Sequence, residues 1–211
     1  MTVIETEVKF TIHDRHAFAR LLAAVGEPER LTHQLNVYLD TPDHRIASAG
    51  FSLRLRIANQ GAATWTTKRR RGRSDGTFVS EETEASADHA QAVSWVRAGR
   101  GFVVPRVPEM SEVLRAVGNE PLVVMTWSLT HRYTARANGF EFELDETIYP
   151  DGAVDYELEA EHPDAVAAAK ALESLCAAAG VRFEPAEHSK RARARKHASP
   201  DAPIPIDLVA G

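Results

Sequence analysis

Charged and apolar residues alternate with a period of two in several separate stretches of this chain, and few folds accept that pattern. In residues 4–12, Ile4, Val8, Phe10 and Ile12 fall on one face with Thr6, and Glu5, Glu7, Lys9 and Thr11 fall on the other. In residues 51–57, Phe51, Leu53, Leu55 and Ile57 oppose Ser52, Arg54 and Arg56. Residues 140–145 alternate Phe140, Phe142 and Leu144 with Glu141, Glu143 and Asp145, and residues 154–161 alternate Val154, Tyr156 and Leu158 with Asp155, Glu157, Glu159 and Glu161. Period two is the signature of strands with one apolar face. Further strands are expected at residues 34–39, 64–70, 78–85 and 122–137, with residues 72–76 as a turn or mobile loop.

Helices are interspersed. Asp14 is positioned as an N-cap before Phe18, Leu21, Leu22 and Val25 at helical spacing, and Gly26 stops that helix. Residues 88–98 and 108–117 read as two more helices. Residues 163–179 form an Ala-rich one with Pro163 at its start and Gly180 at its end, and the basic stretch 187–198 is a fifth. The class is α+β with a mostly antiparallel sheet. Residues 1–198 form a single domain, and residues 199–211 are expected as a flexible tail.

Composition excludes several classes. With 44% apolar and 26% charged residues the chain is neither disordered nor collagen-like. No apolar run approaches the roughly 20 residues of a membrane helix, so no membrane association is expected. The first ten residues lack a signal-peptide layout. The single cysteine, Cys176, cannot make an internal disulfide and is expected in the core. The reducing cytosol is the default compartment. The nine histidines are scattered, and no pair has zinc-motif spacing, so packing or surface roles are expected of them.

The functional signal is the set of charged rows. Acids stand in strand phase at Glu5/Glu7, Glu82/Glu84, Glu143/Asp145 and Glu157/Glu159/Glu161; bases at Lys9, Arg54/Arg56, Lys68/Arg70 and Arg132/Arg136. Any one row fits a solvent-washed sheet face. Taken together, the rows all lie opposite the face on which the helices must pack, and a sheet curling toward closure gathers them into a polar lumen. Carboxylates two apart on a strand suit a hard cation such as Mg²⁺ or Mn²⁺. Arg and Lys rows suit phosphate oxygens. Both signs together describe a site for a metal–polyphosphate complex.

The same residues resemble a known family. Glu5-Thr6-Glu7-Val8-Lys9 is similar to the N-terminal Glu-x-Glu-x-Lys signature of the CYTH superfamily, the triphosphate tunnel metalloenzymes. Residues 33–42 (HQLNVYLDTP), Leu53-Arg54-Leu55-Arg56, Thr67-Lys68-Arg69-Arg70, Glu82 and Glu84, Arg132, Asp145, residues 156–161 and Ser189-Lys190 resemble its later motifs in order. The resemblance implies an eight-stranded antiparallel β-barrel forming a closed tunnel, with helices packed outside. It also implies a metal-dependent triphosphatase. Glu5, Glu7, Asp145, Glu157, Glu159 and Glu161 would hold Mg²⁺ or Mn²⁺. Lys9, Arg54, Arg56, Lys68, Arg70, Arg132 and Lys190 would grip the triphosphate, and Glu7, Lys9 and Glu159 would be catalytic. Two positions depart from the family pattern: Thr11 stands where several members carry a second base, and Arg70 where lysine is frequent.

Inorganic triphosphate is the leading substrate, with thiamine triphosphate and ATP as secondary ones. The alternatives are an adenylate cyclase making cyclic AMP from ATP, and a polyphosphate-binding module without turnover. Nucleic-acid binding through the Arg-rich segments is disfavoured by the net charge of −5 and by the lack of aromatic residues among those bases. The expected partner is a small-molecule triphosphate, with the chain a monomer or homodimer. Of the basic run 190–196, only Lys190 is expected to reach the site; Arg69, Arg71 and Arg73 are expected to point outward.

Overall fold

Alternating strands reach their lowest free energy when the apolar face is covered and the edges are paired, and this chain satisfies both conditions. The computed structural model describes residues 2–137 and 139–210. Among these, the strands are β1 (Thr2–Ile12), β2 (Arg30–Asp40), β3 (Ser52–Ala58), β4 (Ala63–Ser74), β5 (Thr77–Ala87), β6 (Val123–Ala137), β7 (Phe140–Ile148), β8 (Val154–Glu161) and β9 (Phe183–Pro185). The first eight are antiparallel in the order β5-β4-β3-β2-β6-β7-β8-β1, and β1 returns to β5 across Thr2–Val8 to close the barrel. Short β9 lies beside Phe10–Ile12, beyond the stretch of β1 that β5 covers. The α+β class and the closed eight-stranded antiparallel barrel are as the sequence implied.

Six helices pack outside: α1 (Arg15–Val25), α2 (Arg45–Ser48), α3 (His89–Ala98), α4 (Ser111–Val117), α5 (Ala165–Ala179) and α6 (Lys190–Lys196). They divide the outer wall into two apolar cores. One joins Leu35, Leu55, Trp65 and Leu129 to Val93 and Val96 of α3 and Val113 of α4. The other joins Val8, Phe10, Leu144 and Leu158 to Phe18 and Leu21 of α1 and Leu172 and Cys176 of α5. With the outward side chains committed to these cores, the charged set has only the lumen to occupy.

Local chemistry sets the element ends. Asp14, Asp88, Asp164 and Ser189 each accept a bond from a backbone N–H in the first turn of α1, α3, α5 and α6. The cap of α5 is therefore Asp164, and Pro163 lies outside the helix. Asp40 accepts from the N–H groups of Thr41, Ile46 and Ala47 at 2.8, 2.9 and 3.0 Å, which ties the Asp40-Thr41-Pro42 turn to the start of α2.

Three expectations need correction. Of the turn or mobile loop expected at residues 72–76, the turn is present but shorter: β4 runs to Ser74, and a two-residue turn at Asp75-Gly76, with φ of 45° and 76°, leads directly into β5. The basic helix spans only Lys190–Lys196. The segment after residue 199, expected to be loose, is docked instead. Ile206 and Val209 are buried in the first core, His89 Nε2 lies 3.3 Å from the Val209 carbonyl, and Arg97 pairs with Asp207 at 2.8 Å. Ala202, Ile204 and Ala210 pack against the same core and help to hold it.

Candidate functional site: the barrel lumen

The lumen encloses a cavity of about 570 Å³. Its lining includes Glu5, Glu7 and Lys9 from β1, Arg54 and Arg56 from β3, Lys68 and Arg70 from β4, Arg132 from β6, Glu159 and Glu161 from β8, and Lys190 from α6. Asp145 and Glu157 do not line it; they are fully buried behind Lys190. All thirteen residues singled out in the sequence thus lie in or directly behind one space.

Four cations are set into acidic nests. Lys68 Nζ lies 3.2 Å from Glu5, 3.4 Å from Glu7 and 2.9 Å from Glu82. Lys9 bridges Glu7 and Glu159 at 3.0 and 3.2 Å. Lys190 reaches in from α6 to Asp145 at 2.8 Å and Glu157 at 2.7 Å, and also contacts Glu159. Arg132 grips Asp145 with Nε at 2.9 Å and Nη2 at 2.6 Å, the bidentate geometry that favours arginine over lysine.

These nests shift the acids in different directions. Burial, and the hydrogen bond that a protonated Glu5 carboxyl donates to neighbouring Glu82, push Glu5 up to about 7. Burial also opposes ionisation of Glu82, but Arg54 and Lys68 outweigh it and hold that carboxyl at about 2. Glu159 is buried too, yet Lys190, Lys9 and Arg132 keep it well below the usual carboxylate range. Crowded carboxylates whose charges are held in place by cations are the arrangement expected where a site must accept further cationic charge.

Other cations have no acid. Arg56 donates from Nε to Asn36 Oδ1 at 3.1 Å, and among the described residues no carboxylate pairs with it. Burial, with Arg54 and Arg132 close by, lowers it to about 10. Arg54 is intermediate: its Nη2 reaches Glu82 at 3.4 Å, and its buried Nε has no partner among the described residues. Arg70 and Arg191 line the cavity with no ion pair among the described residues. Burial, then repulsion from Arg195 and more weakly from Arg70, lowers Arg191.

The oxygen donors fit a hard divalent ion. Asp145, Glu157 and Glu159 offer buried carboxylate oxygens that lie within 4.8 Å of one another. Glu157 Oε1 is buried without a hydrogen bond, so its lone pairs are available, whereas Oε2 is held by Lys190 at 2.7 Å and Arg193 at 2.5 Å. The Lys190 ammonium occupies the middle of this group. An all-oxygen donor set suits Mg²⁺ or Mn²⁺.

Sequence reasoning missed Arg193 and Arg191. Arg193 pairs with Asp155 at 2.8 Å and Glu157 at 2.5 Å, and donates to the Tyr149 hydroxyl at 3.0 Å. Lys190 and Arg193 are three apart and share one helix face, a spacing visible in the sequence. The expectation that Lys190 alone enters is therefore corrected. Glu82 and Glu143 stand in the charged rows but were not assigned to the site; Glu82 holds Lys68, and Glu143 lies 2.5 Å from Arg132. The outward arginines are where expected. Arg69 lies over the Phe51 ring at 3.9 Å, and Arg71 pairs with Glu81.

The family model of the CYTH domain matches residues 3–192. Comparison with curated proteins found no match. Among solved structures, the chain is similar to an adenylyl cyclase candidate of Hippeastrum, described as having a dominant triphosphatase activity. That likeness has a TM-score of 0.79 at 23% identity and covers 96% of this chain and 99% of the other. It is also similar to an adenylate cyclase candidate of Bacillus halodurans, at TM-score 0.69 and 22% identity over 91% and 97% of the two chains. A conserved protein of Pyrococcus furiosus has the same fold at TM-score 0.54 and 18% identity, over 86% and 97%. At these identities the likeness concerns the fold.

Proposed function

Since the chain belongs to the CYTH domain family, we propose that it is a divalent-metal-dependent triphosphatase that hydrolyses inorganic triphosphate to diphosphate and phosphate inside the lumen. The observation that carries this reading is a cation without an acid beside a convergent set of carboxylates. Arg56 is a half-buried guanidinium with only an amide for partner. The buried carboxylates Asp145, Glu157 and Glu159 converge behind the cavity wall around Lys190. The first calls for an anion and the second is an oxygen donor set that a divalent ion would share with Lys190, and a metal–triphosphate complex supplies both.

In this reading Arg54, Arg56, Lys68, Arg70, Arg132 and Lys190 bind phosphate oxygens. Glu5, Glu7, Asp145, Glu157, Glu159 and Glu161 hold the metal. When bound, Mg²⁺ or Mn²⁺ neutralises charge on the triphosphate and lowers the pKa of coordinated water. Phosphoryl transfer asks mainly for positioning and charge stabilisation. Water attacks the terminal phosphorus, the bridging P–O bond breaks, and diphosphate leaves. Glu7 and Glu159, bridged by Lys9 at 3.0 and 3.2 Å, are the carboxylates that orient the attacking water, whose proton passes to the phosphate products. Lys9 fixes their orientation, and Lys190 and Arg132 balance the charge on the departing diphosphate.

Kinship with the Hippeastrum protein, whose dominant activity is described as triphosphatase, supports hydrolysis over cyclisation. The test is phosphate release by the purified chain with Mg²⁺ or Mn²⁺, comparing inorganic triphosphate, thiamine triphosphate and ATP. Fast metal-dependent release from inorganic triphosphate is expected. Cyclic AMP as the main product from ATP would assign a cyclase instead, and triphosphate binding without turnover would assign a binding module.

A further inference from the structure

A polar row crosses the outer wall of the barrel, away from the lumen. His33 on β2 stands opposite His131 on β6, and His131 stands opposite Glu146 on β7. Residues in register on antiparallel neighbours project from the same face. The row falls where the two apolar cores stop. On β6, Leu129 belongs to the first core and Tyr133 packs on the second, with His131 between them. On β7, Ile148 and Leu144 divide in the same way around Glu146. The two imidazoles are half-buried and meet edge to face, with centroids 4.6 Å apart and Nδ1 atoms 2.5 Å apart. At that separation the nitrogens share one proton, one ring donating and the other accepting.

We propose that His33 and His131 are the ligand pair of a transition-metal site on this outer wall. It would take a borderline divalent ion of the Zn²⁺, Ni²⁺ or Cu²⁺ kind in place of the shared proton. Imidazole nitrogen is the donor such ions prefer, whereas the all-oxygen lumen suits Mg²⁺ or Mn²⁺. Zn–N bonds of about 2.0–2.1 Å at a tetrahedral angle put the two nitrogens about 3.3 Å apart. The rings therefore need to part by less than about 1 Å, within the reach of small side-chain rotations. The two imidazoles are the protein ligands and water would fill the remaining positions; Glu146, opposite His131 in register on the next strand, adds negative charge nearby. A bound ion would tie β2 to β6 at the seam between the cores and so stabilise the folded barrel.

The test is calorimetric titration of Zn²⁺ into the full chain with Mg²⁺ present in large excess, so that the lumen acids do not compete. One tight site per chain is expected. It should weaken by about 100-fold in H33Q and in H131Q, because each variant removes one arm of the chelate. Metal-dependent phosphate release should be unchanged in both variants, since neither histidine faces the lumen. Cu²⁺ bound to the unmodified chain should show electron-spin couplings to two imidazole nitrogens, a readout that does not depend on how the variants fold. Zn²⁺ affinity within about twofold of the parent in both variants overturns the proposal, and so does a Cu²⁺ spectrum without two-nitrogen coupling.

Discussion

Two groups of cations share the lumen and differ in one respect. Lys9, Lys68, Arg132 and Lys190 each touch at least two carboxylates. Arg56, Arg70 and Arg191 touch none among the described residues. The nested cations are already neutralised and hold the acids in place, so their first contribution is architectural. The unpaired ones give the lumen its residual positive potential, and an anion entering it gains most from them. The nested cations must share their acids with a metal before they can bind an anion fully; the unpaired ones are ready for it.

The largest effect should come from the acids that the nested cations hold. Glu7→Gln and Glu159→Gln keep the shape of the side chain and remove its charge. Phosphate release from triphosphate should fall by about 10³-fold in each. Circular dichroism should show an intact barrel, and near-normal turnover in both variants would break the proposed roles. Chelation of the divalent ion should silence the parent enzyme to a similar degree.

The contrast between the two groups is sharpest at Arg132 and Arg56. Arg132→Ala leaves Asp145, which is 0% exposed, without its bidentate partner. Breaking a buried pair from one side costs about 3–5 kcal/mol, so thermal or urea unfolding should show a large loss of stability. Arg56→Ala removes a desolvated charge bonded only to Asn36. It should leave stability unchanged or raised while weakening triphosphate binding, seen by calorimetry without metal. Equal stability losses in the two variants would erase the distinction drawn here.

Gly76 tests how the wall positions Lys9. The Gly76 carbonyl accepts from Lys9 N–H at 2.9 Å, and a Cβ at position 76 would sit 2.7 Å from the Lys9 carbonyl. With φ at 76° the position is strained for any side chain as well. Gly76→Ala should cost about 1–3 kcal/mol, measured by urea unfolding. It should also slow turnover, because the strand carrying the Glu7–Lys9–Glu159 bridge must shift.

Much of this was legible in advance because closure turns a one-dimensional rule into a three-dimensional one. Once Glu5, Arg54, Lys68, Arg132 and Glu159 are in strand phase opposite apolar residues, a closed sheet leaves them a single place to go. Legibility failed where the determinant is a partner distant in sequence. His33 and His131 are 98 residues apart, so spacing said nothing of their meeting; strand register did that. The docking of Ile206 and Val209 depends on a groove built by other elements, and Asp75-Gly76 carried a hairpin signal that the flanking arginines masked. Arg193 was legible from its spacing to Lys190 but was overlooked because most of its run is solvated.

Arg191 offers the smallest and most discriminating effect. It lies beside two like-charged arginines, Arg70 across the cavity and Arg195 on its own helix, and burial and repulsion lower its pKa. Removing it relieves that repulsion, so Arg191→Ala should be neutral or slightly stabilising in unfolding experiments. An incoming triphosphate would lose one guanidinium at the partly exposed side of the cavity, where salt screens the interaction. The Michaelis constant should therefore rise only a few-fold at low salt, with kcat nearly unchanged, and the difference from the parent should shrink as salt is added. If Arg191 instead belonged with the nested cations, its removal would lower stability and kcat together, and salt would not close the gap. The KM–kcat split and its salt dependence thus place Arg191 in one group or the other.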